Sequence, residues 1–253
     1  MLGLPQRKDS MLVYGHRGAG GEAPENTIAG CKHAIARGAQ YLELDMRLSK
    51  DDQLVMLHDD TVNRTTDQQG KVSTYTVAEL KKMDARRSGT PWPNKRDTGI
   101  VTLDAMLKAT PEIKGYQLEV KTGSTAQMNR VAELLAEKFP TESSVERIVI
   151  TSSSLTLLQQ LMTIAPHIPR GFISMNLNPF PVLDRFNCSL LALSWSVCNL
   201  INVGHARRKG LHVSVWTVND ASVIKNLNRL KIDSVITDYP SMALPLTASL
   251  SRQ

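Results

Sequence analysis

Cysteine is scarce: the 253 residues hold three, Cys31, Cys188 and Cys198. An odd number without knuckle-like spacing argues against both a disulfide framework and a structural zinc site. Reduced thiols in a cytoplasmic protein are expected instead. Long hydrophobic runs are missing too. The opening "MLGLPQRKDS" is too short and too polar for a secretory leader. The most apolar stretch, "SLLALSWSVCNLINVG", is too short and too interrupted to span a bilayer, so stable membrane insertion is not expected. Neither sign of charge dominates: 30 Lys and Arg against 24 Asp and Glu leave a net +6 without a long basic run. That balance mildly favours anionic partners. With aromatics at 5% and no groove-like mixture of aromatic and basic residues, a nucleic-acid partner is not expected. Internal repeats and low-complexity tracts are absent as well.

What is present is alternation. At 42% hydrophobic the chain can bury one large core. Strand-like runs fall at Met11–Tyr14, Tyr41–Met46, Tyr116–Val120, Arg147–Thr151, Arg170–Ile173, Leu190–Ser194, His212–Thr217 and Ser234–Thr237. Helix-like segments separate most of them, among them Thr27–Arg37, Ala126–Phe139, Leu155–Ala165 and Ala221–Leu230. Strands alternating with helices predict a parallel sheet with helical crossovers, and eight strands point to a TIM (β/α)8 barrel. A doubly wound open sheet is the alternative. The rhythm breaks once: "YLELDMRL" and "LVMLHDD" flank the polar "SKDDQ", which predicts a hairpin, followed by a long polar segment with a short helix near Val77–Met83. The expectation is a single barrel domain over 1–253 with a small cap inserted after the second strand, over roughly residues 47–99.

The chemistry gathers on strand ends. In "YLELDMR", alternation puts Leu42, Leu44 and Met46 on one face and Glu43, Asp45 and Arg47 on the other. If the apolar set meets the helices, two carboxylates point into the barrel. There they would be costly without a hard divalent cation, Mg2+ or Ca2+. Taken alone, the pattern fits a solvated edge strand equally well. "GYQLEVKTG" repeats the arrangement with Glu119 and, two residues on, Lys121. Glu119 is a candidate third ligand; an ordinary Glu–Lys surface pair is the other reading. His16 ends the first strand, and the hairpin returns His58 to about the level of Glu43. Two histidines beside a metal fit general acid–base work on a phosphoester. The fork of Arg17 matches a pair of phosphate oxygens, or else a salt bridge at the rim with Glu25, itself a further candidate ligand. Asn26 is a candidate N-cap for the helix that follows. Trp216 offers a flat wall if it points inward, or core filling if it does not. Asp238 reads as a cap on the last turn. His33, His167, His205 and His212 read as structural or exposed. "GHRGAG" is not a dinucleotide loop: its spacing is G-x-x-G-x-G, and it lacks the lysine of a nucleotide-triphosphate loop.

The blocks "HRGAGGEAPENT", "ELDMRLSKDDQLVMLHDDTVNRTT", "LEVK" and "VSVWTVND" closely resemble the glycerophosphodiester phosphodiesterase family, in order from Met11 to about Pro240. The resemblance is to the short cytosolic bacterial type. It implies a TIM barrel with a small insertion. It also implies metal-dependent hydrolysis of glycerophosphodiesters, small molecules derived from phospholipids, to glycerol 3-phosphate and an alcohol. It further implies His16 and His58 as the acid–base pair, a Mg2+ or Ca2+ ion on Glu43, Asp45 and Glu119, and phosphate contacts from Arg17 and Lys121. The sequence departs from the family pattern at Ser153, where a phenylalanine is usual, and at "VTLD", Val101 to Asp104. Two other functions share these residues: a lysophospholipase D-type phosphodiesterase, for which no apolar lid is evident, and a non-catalytic phosphate-binding barrel. Nothing in the pattern sets an oligomeric state, a head group, the roles of the two histidines, or water against a glycerol hydroxyl as nucleophile.

Overall fold

Alternating apolar strands that must bury both faces are driven to close on themselves, and that closure sets the frame of the molecule. A computed structural model describes residues 10–88 and 90–251. The chain runs β1 (Leu12–His16), α1 (Ile28–Ala36), β2 (Tyr41–Leu48), β3 (Leu54–Met56), α2 (Val77–Leu80), α3 (Leu103–Ala109), β4 (Gly115–Val120), α4 (Thr125–Lys138), β5 (Ile148–Ser152), α5 (Leu155–Ile164), β6 (Arg170–Ser174), α6 (Phe180–Arg185), β7 (Leu190–Ser194), α7 (Leu200–Arg208), β8 (His212–Trp216), α8 (Ala221–Arg229), β9 (Ser234–Thr237) and α9 (Pro240–Leu250). The strand order β1-β9-β8-β7-β6-β5-β4-β2 is closed by pairing of β1 with β2, giving an eight-stranded parallel TIM barrel. β3 is antiparallel to the end of β2, with Met46 opposite Met56 and Leu48 opposite Leu54, so "SKDDQ" is the expected hairpin turn. The first strand runs two residues past the expected Tyr14, and the cap helix is shorter than 77–83.

The face assignment follows from burial. Leu42, Leu44 and Met46 are fully buried in one apolar cluster with Cys31 and Ala34 of α1. Each such leucine contributes roughly 1.5–3 kcal/mol relative to exposure, enough to hold the register that turns Glu43 and Asp45 inward. A second cluster packs β6–β9 against the C-terminal helices through Phe186, Leu191, Val203, Val215 and Ile224. Between the hairpin and α3, Val55, Leu57, Val62, Leu80 and Ile100 form a small core of their own under the polar surface.

Helices begin where the chain leaves the barrel mouth, at polar caps. Thr27, Ser124, Ser154, Asn199 and Asp220 each accept a backbone N–H of the helix they start. Asn26 is not the cap of α1. Thr27, with extended backbone, accepts from Gly30 N at 3.0 Å, while Asn26 takes a left-handed φ of 55° that frees its amide for another partner.

Candidate active site

Register brings the site together. His16 pairs with Glu43 across β1 and β2, and Asp45 pairs with Glu119 across β2 and β4. Parallel neighbours at one level on one face are next to each other in space. One carboxylate oxygen from each of Glu43, Asp45 and Glu119 lies within 4.8 Å of the other two. Glu43 is 3% exposed and Asp45 fully buried, which excludes the solvated edge-strand reading. The hairpin ladder carries His58 to a level between Glu43 and Asp45, and the Leu57 N–H donates to Asp45 O at 3.1 Å. Arg47, on the same face as the two acids, donates from Nε to the His58 carbonyl at 2.8 Å and so fixes that return.

Arg17 leaves β1 with φ 52°, and Gly18 follows at φ 89°. A side chain at Gly15 would strike Gly18 O at 2.0 Å, so the turn closes only on glycine there. The turn aims the Arg17 N–H at Glu43 Oε2 (3.3 Å) and its guanidinium at Asp45 Oδ2 (3.2 Å) and Glu25 Oε1 (3.0 Å). Glu25 is not brought into the three-carboxylate group. Its two oxygens are taken by Arg64 at 2.7 and 2.8 Å and by Arg17, so it anchors arginines. Lys121 Nζ lies 2.6 Å from Glu119 Oε1 and 3.1 Å from Asp45 Oδ1. Trp216 lines the mouth cavity with His16, Glu43, Gln117 and Glu119, so it does point inward.

The electrostatics are those of crowded acids. Burial and the Asp45 charge push the Glu43 carboxyl up to about 8, and the same two causes raise Glu119. Burial also works against ionised Asp45, but Lys121 and Arg17 hold it well below the ordinary carboxylate range. Glu43 Oε1 is buried without a hydrogen-bond partner among the described residues. Three converging carboxylates, one of them with an unpartnered buried oxygen, are a donor set that fits a hard divalent cation.

The two histidines differ. Burial disfavours the charged form of His16, but the Asp238 hydrogen bond and the Glu43 charge outweigh it and hold its pKa above 6.5. Burial, with Arg17 and Lys121 nearby, pushes His58 below 6.5 despite Asp45 and Asp59.

Four residues in the site escaped the sequence reading. Asp238, expected to cap a turn, lies 2.6 Å from His16 Nδ1. Asn26 grips Asp45 twice, its Nδ2 donating to Oδ2 (2.8 Å) and its Oδ1 accepting from the Asp45 N–H (3.0 Å). Asp59 lies 2.6 Å from His58 Nδ1, and Arg64 ties Asp59 to Glu25. Asp59 was legible from its place beside His58. Asp238 was legible from barrel closure, which puts the last strand against the first. The segments after β6 and β7, with the first turn of α7, also leave Met175, Leu177, Trp195, Leu200 and Ile201 exposed at the same end of the barrel.

Known proteins resemble this chain over most of its length. The family described as the glycerophosphoryl diester phosphodiesterase family matches residues 16–242. The chain belongs to the glycerophosphoryl diester phosphodiesterase family. The Bacillus subtilis protein YhdW is 33% identical over 92% of this chain and 97% of its own length. A Bacillus altitudinis glycerophosphodiester phosphodiesterase is 30% identical over 92% of this chain and 97% of its own. An Oleispira antarctica phosphodiesterase, solved with its product sn-glycerol-3-phosphate, superimposes with a TM-score of 0.83 at 26% identity, covering 94% of this chain and 96% of that one. The chain is thus a phosphoric diester hydrolase acting on a small-molecule glycerophosphodiester. Among the described residues no helix is long and apolar enough to cross a membrane.

Proposed function

We propose that this enzyme hydrolyses glycerophosphodiesters to glycerol 3-phosphate and an alcohol. In this reading a Mg2+ or Ca2+ ion sits on Glu43, Asp45 and Glu119, with His16 and His58 as the acid–base pair. The observation that carries the reading is the group of three convergent carboxylates, with Glu43 Oε1 unpartnered, flanked by two histidines of opposite pKa shift. A cation held there supplies charge neutralisation at a phosphoryl oxygen. Arg17 and Lys121 bind the remaining phosphoryl oxygens, and the Trp216 ring forms a wall for the glycerol. His58, held neutral, takes a proton from the attacking water as its oxygen bonds to phosphorus. The bond from phosphorus to the leaving oxygen breaks with its electron pair on that oxygen, which receives a proton from His16. The three unpaired cysteines support a cytoplasmic, reducing setting.

The test is glycerol 3-phosphate release from glycerophosphocholine with and without EDTA, followed by readdition of single metals. Metal-restored turnover is expected. No EDTA-sensitive turnover on any diester would leave a phosphate-binding barrel. A second reading, cleavage of lysophospholipids at the same site, is favoured by the exposed Met175, Leu177, Trp195, Leu200 and Ile201 at the mouth. Comparing lysophosphatidylcholine with glycerophosphocholine as substrates decides between them.

A further inference from the structure

His16 is anchored from behind. Its Nε2 faces the carboxylates, 3.8 Å from Glu43 Oε2, while its Nδ1 lies 2.6 Å from Asp238 Oδ1. The fold itself sets this contact. β9 pairs with β1 so that Thr237 stands opposite Gly15. The next residue of each strand, Asp238 and His16, therefore meets the other at the barrel mouth. Asp238 is in turn clamped. Its Oδ2 accepts from Asn219 Nδ2 at 2.6 Å, and its N–H donates to Asn219 Oδ1 at 2.9 Å. The same Asn219 oxygen accepts from the Thr237 hydroxyl at 3.2 Å. Across the loop, the Gly21 N–H donates to the Asp238 carbonyl at 3.1 Å, and a side-chain carbon at Gly20 would come within 3.2 Å of Asp238 Oδ1. Backbone and side chain of Asp238 are thus both held, by Asn219 on one side and by the Gly20–Gly21 turn on the other.

We propose that Asp238 is a positioning residue for the hydrolysis: it fixes the ring orientation and tautomer of His16, so that Nε2 delivers its proton to the leaving alkoxide. An ionised carboxylate only accepts hydrogen bonds, so Nδ1 must carry a hydrogen toward it. The remaining nitrogen, Nε2, is then the one presented to the mouth. When it gives up its proton, the imidazole is left neutral with Nδ1–H still bonded to Asp238. The ring needs no tautomer change or rotation for the next cycle. Asn219 holds the other carboxylate oxygen, which restrains rotation of the carboxylate. In this proposal the effect of Asp238 passes through His16. The proposal rests on the hydrolase reading above, with His16 as the acid.

Leaving-group dependence tests it. An aliphatic alkoxide needs a proton as it departs; p-nitrophenolate does not. Turnover by the wild type, Asp238→Ala, Asp238→Asn, His16→Ala and the double variant His16→Ala/Asp238→Ala is measured with metal on glycerophosphocholine and on a p-nitrophenyl phosphodiester. Asp238→Ala is expected to lower kcat on glycerophosphocholine by at least about tenfold, within the ~10²–10⁴-fold that acid catalysis supplies. KM and the nitrophenyl rate should move less than about threefold. In the His16→Ala background the Asp238 substitution should cost nothing further. Asp238→Asn, which preserves shape and one acceptor, should fall between the wild type and Asp238→Ala, and it serves if the alanine variant does not fold. Equal loss on both esters, or a full-sized Asp238 effect without His16, overturns the proposal. The nitrogen-15 spectrum of His16 gives a readout independent of turnover. At alkaline pH, where the ring is neutral, Nδ1 should carry the hydrogen in the wild type, and that preference should be lost in Asp238→Ala; an unchanged tautomer overturns the proposal. A wild type that cleaves neither ester but keeps this tautomer dependence would defeat the hydrolase reading and leave the positioning intact.

Discussion

Asp45 and Glu119 stand opposite each other on paired strands β2 and β4, one buried completely and the other half-buried. Lys121 lies between them, with its ammonium nitrogen within 3.1 Å of both. Glu43, on the same face of β2, is buried beside the charged Asp45, and its carboxyl is pushed up to about 8 despite His16 and Lys121 nearby.

A cation should therefore stabilise the folded protein, and more so at alkaline pH. For Glu43 the folded pKa lies above the unfolded value of 4.5. Its favourable contribution is complete below pH 4.5 and is lost as pH rises through about 8. With EDTA, Tm should fall across that window; with Mg2+ or Ca2+ the fall should shrink. Glu43→Gln should flatten the EDTA curve and lose most of the gain from metal. Thermal melts at pH 6 and pH 8.5, with and without metal, check this. An equal metal gain at both pH values in wild type and variant counts against a cation on Glu43.

The histidine pair predicts a bell-shaped rate profile. His58 must be neutral to accept a proton and has its pKa below 6.5, so activity falls on the acid side below that value. His16 must be protonated to donate and has its pKa above 6.5, so activity falls on the alkaline side above it. His16→Ala and His58→Ala should each cost at least about 10²-fold in turnover while the far-ultraviolet circular dichroism stays unchanged. The His58 variant should lose the acid limb. Near-normal turnover in either variant removes that residue from the acid–base pair.

Much of this site was legible because a strand period of two and a barrel register are both readable from residue order. "ELD", "LEVK" and the end of "VYGH" needed only the assumption of closure to meet at one rim, as Glu43, Asp45, Glu119, Lys121 and His16 do. Asn26 was misread because a cap and a ligand-gripping amide want the same residue type. The choice between Asn26 and Thr27 depends on a left-handed φ that no local pattern announces. Arg64 could not be placed at all. It reaches Glu25 from the cap, through a loop whose path depends on the small apolar cluster beneath it.

That reach makes Arg64 a coupling point between cap and barrel. Its fork holds both oxygens of Glu25, while its Nε donates to Asp59 Oδ2 at 2.7 Å, and Asp59 in turn holds His58. Arg64→Ala should lower kcat/KM by roughly tenfold through a loosened His58. It should cost only about 1 kcal/mol in stability, because the arginine is 43% exposed and screened. Arg64→Lys should recover little, since a lysine cannot bridge both acids with a planar fork. Steady-state kinetics and urea denaturation of the two variants check this, and full rescue by lysine would show that charge alone is what Arg64 supplies.

At the opposite end of the barrel, His212 should make the fold acid-sensitive. Its ring is buried beside β9, with Nε2 2.8 Å from the Ser234 hydroxyl and Nδ1 unpartnered among the described residues. Burial pushes its pKa down to about 4. The unfolded chain takes up this proton near pH 6.5, while the folded chain refuses it until about pH 4. The unfolded state therefore binds more protons inside that window, and stability falls as pH drops through it. The loss at this one group reaches about 1–3 kcal/mol by pH 4. His212→Gln keeps a polar group near Ser234 but does not titrate. It should be less stable than the wild type at pH 7.5, and the gap should narrow or reverse by pH 5. Urea midpoints for both proteins at pH 7.5, 6 and 5 give the comparison. Parallel decline of the two would place the acid sensitivity at groups other than His212.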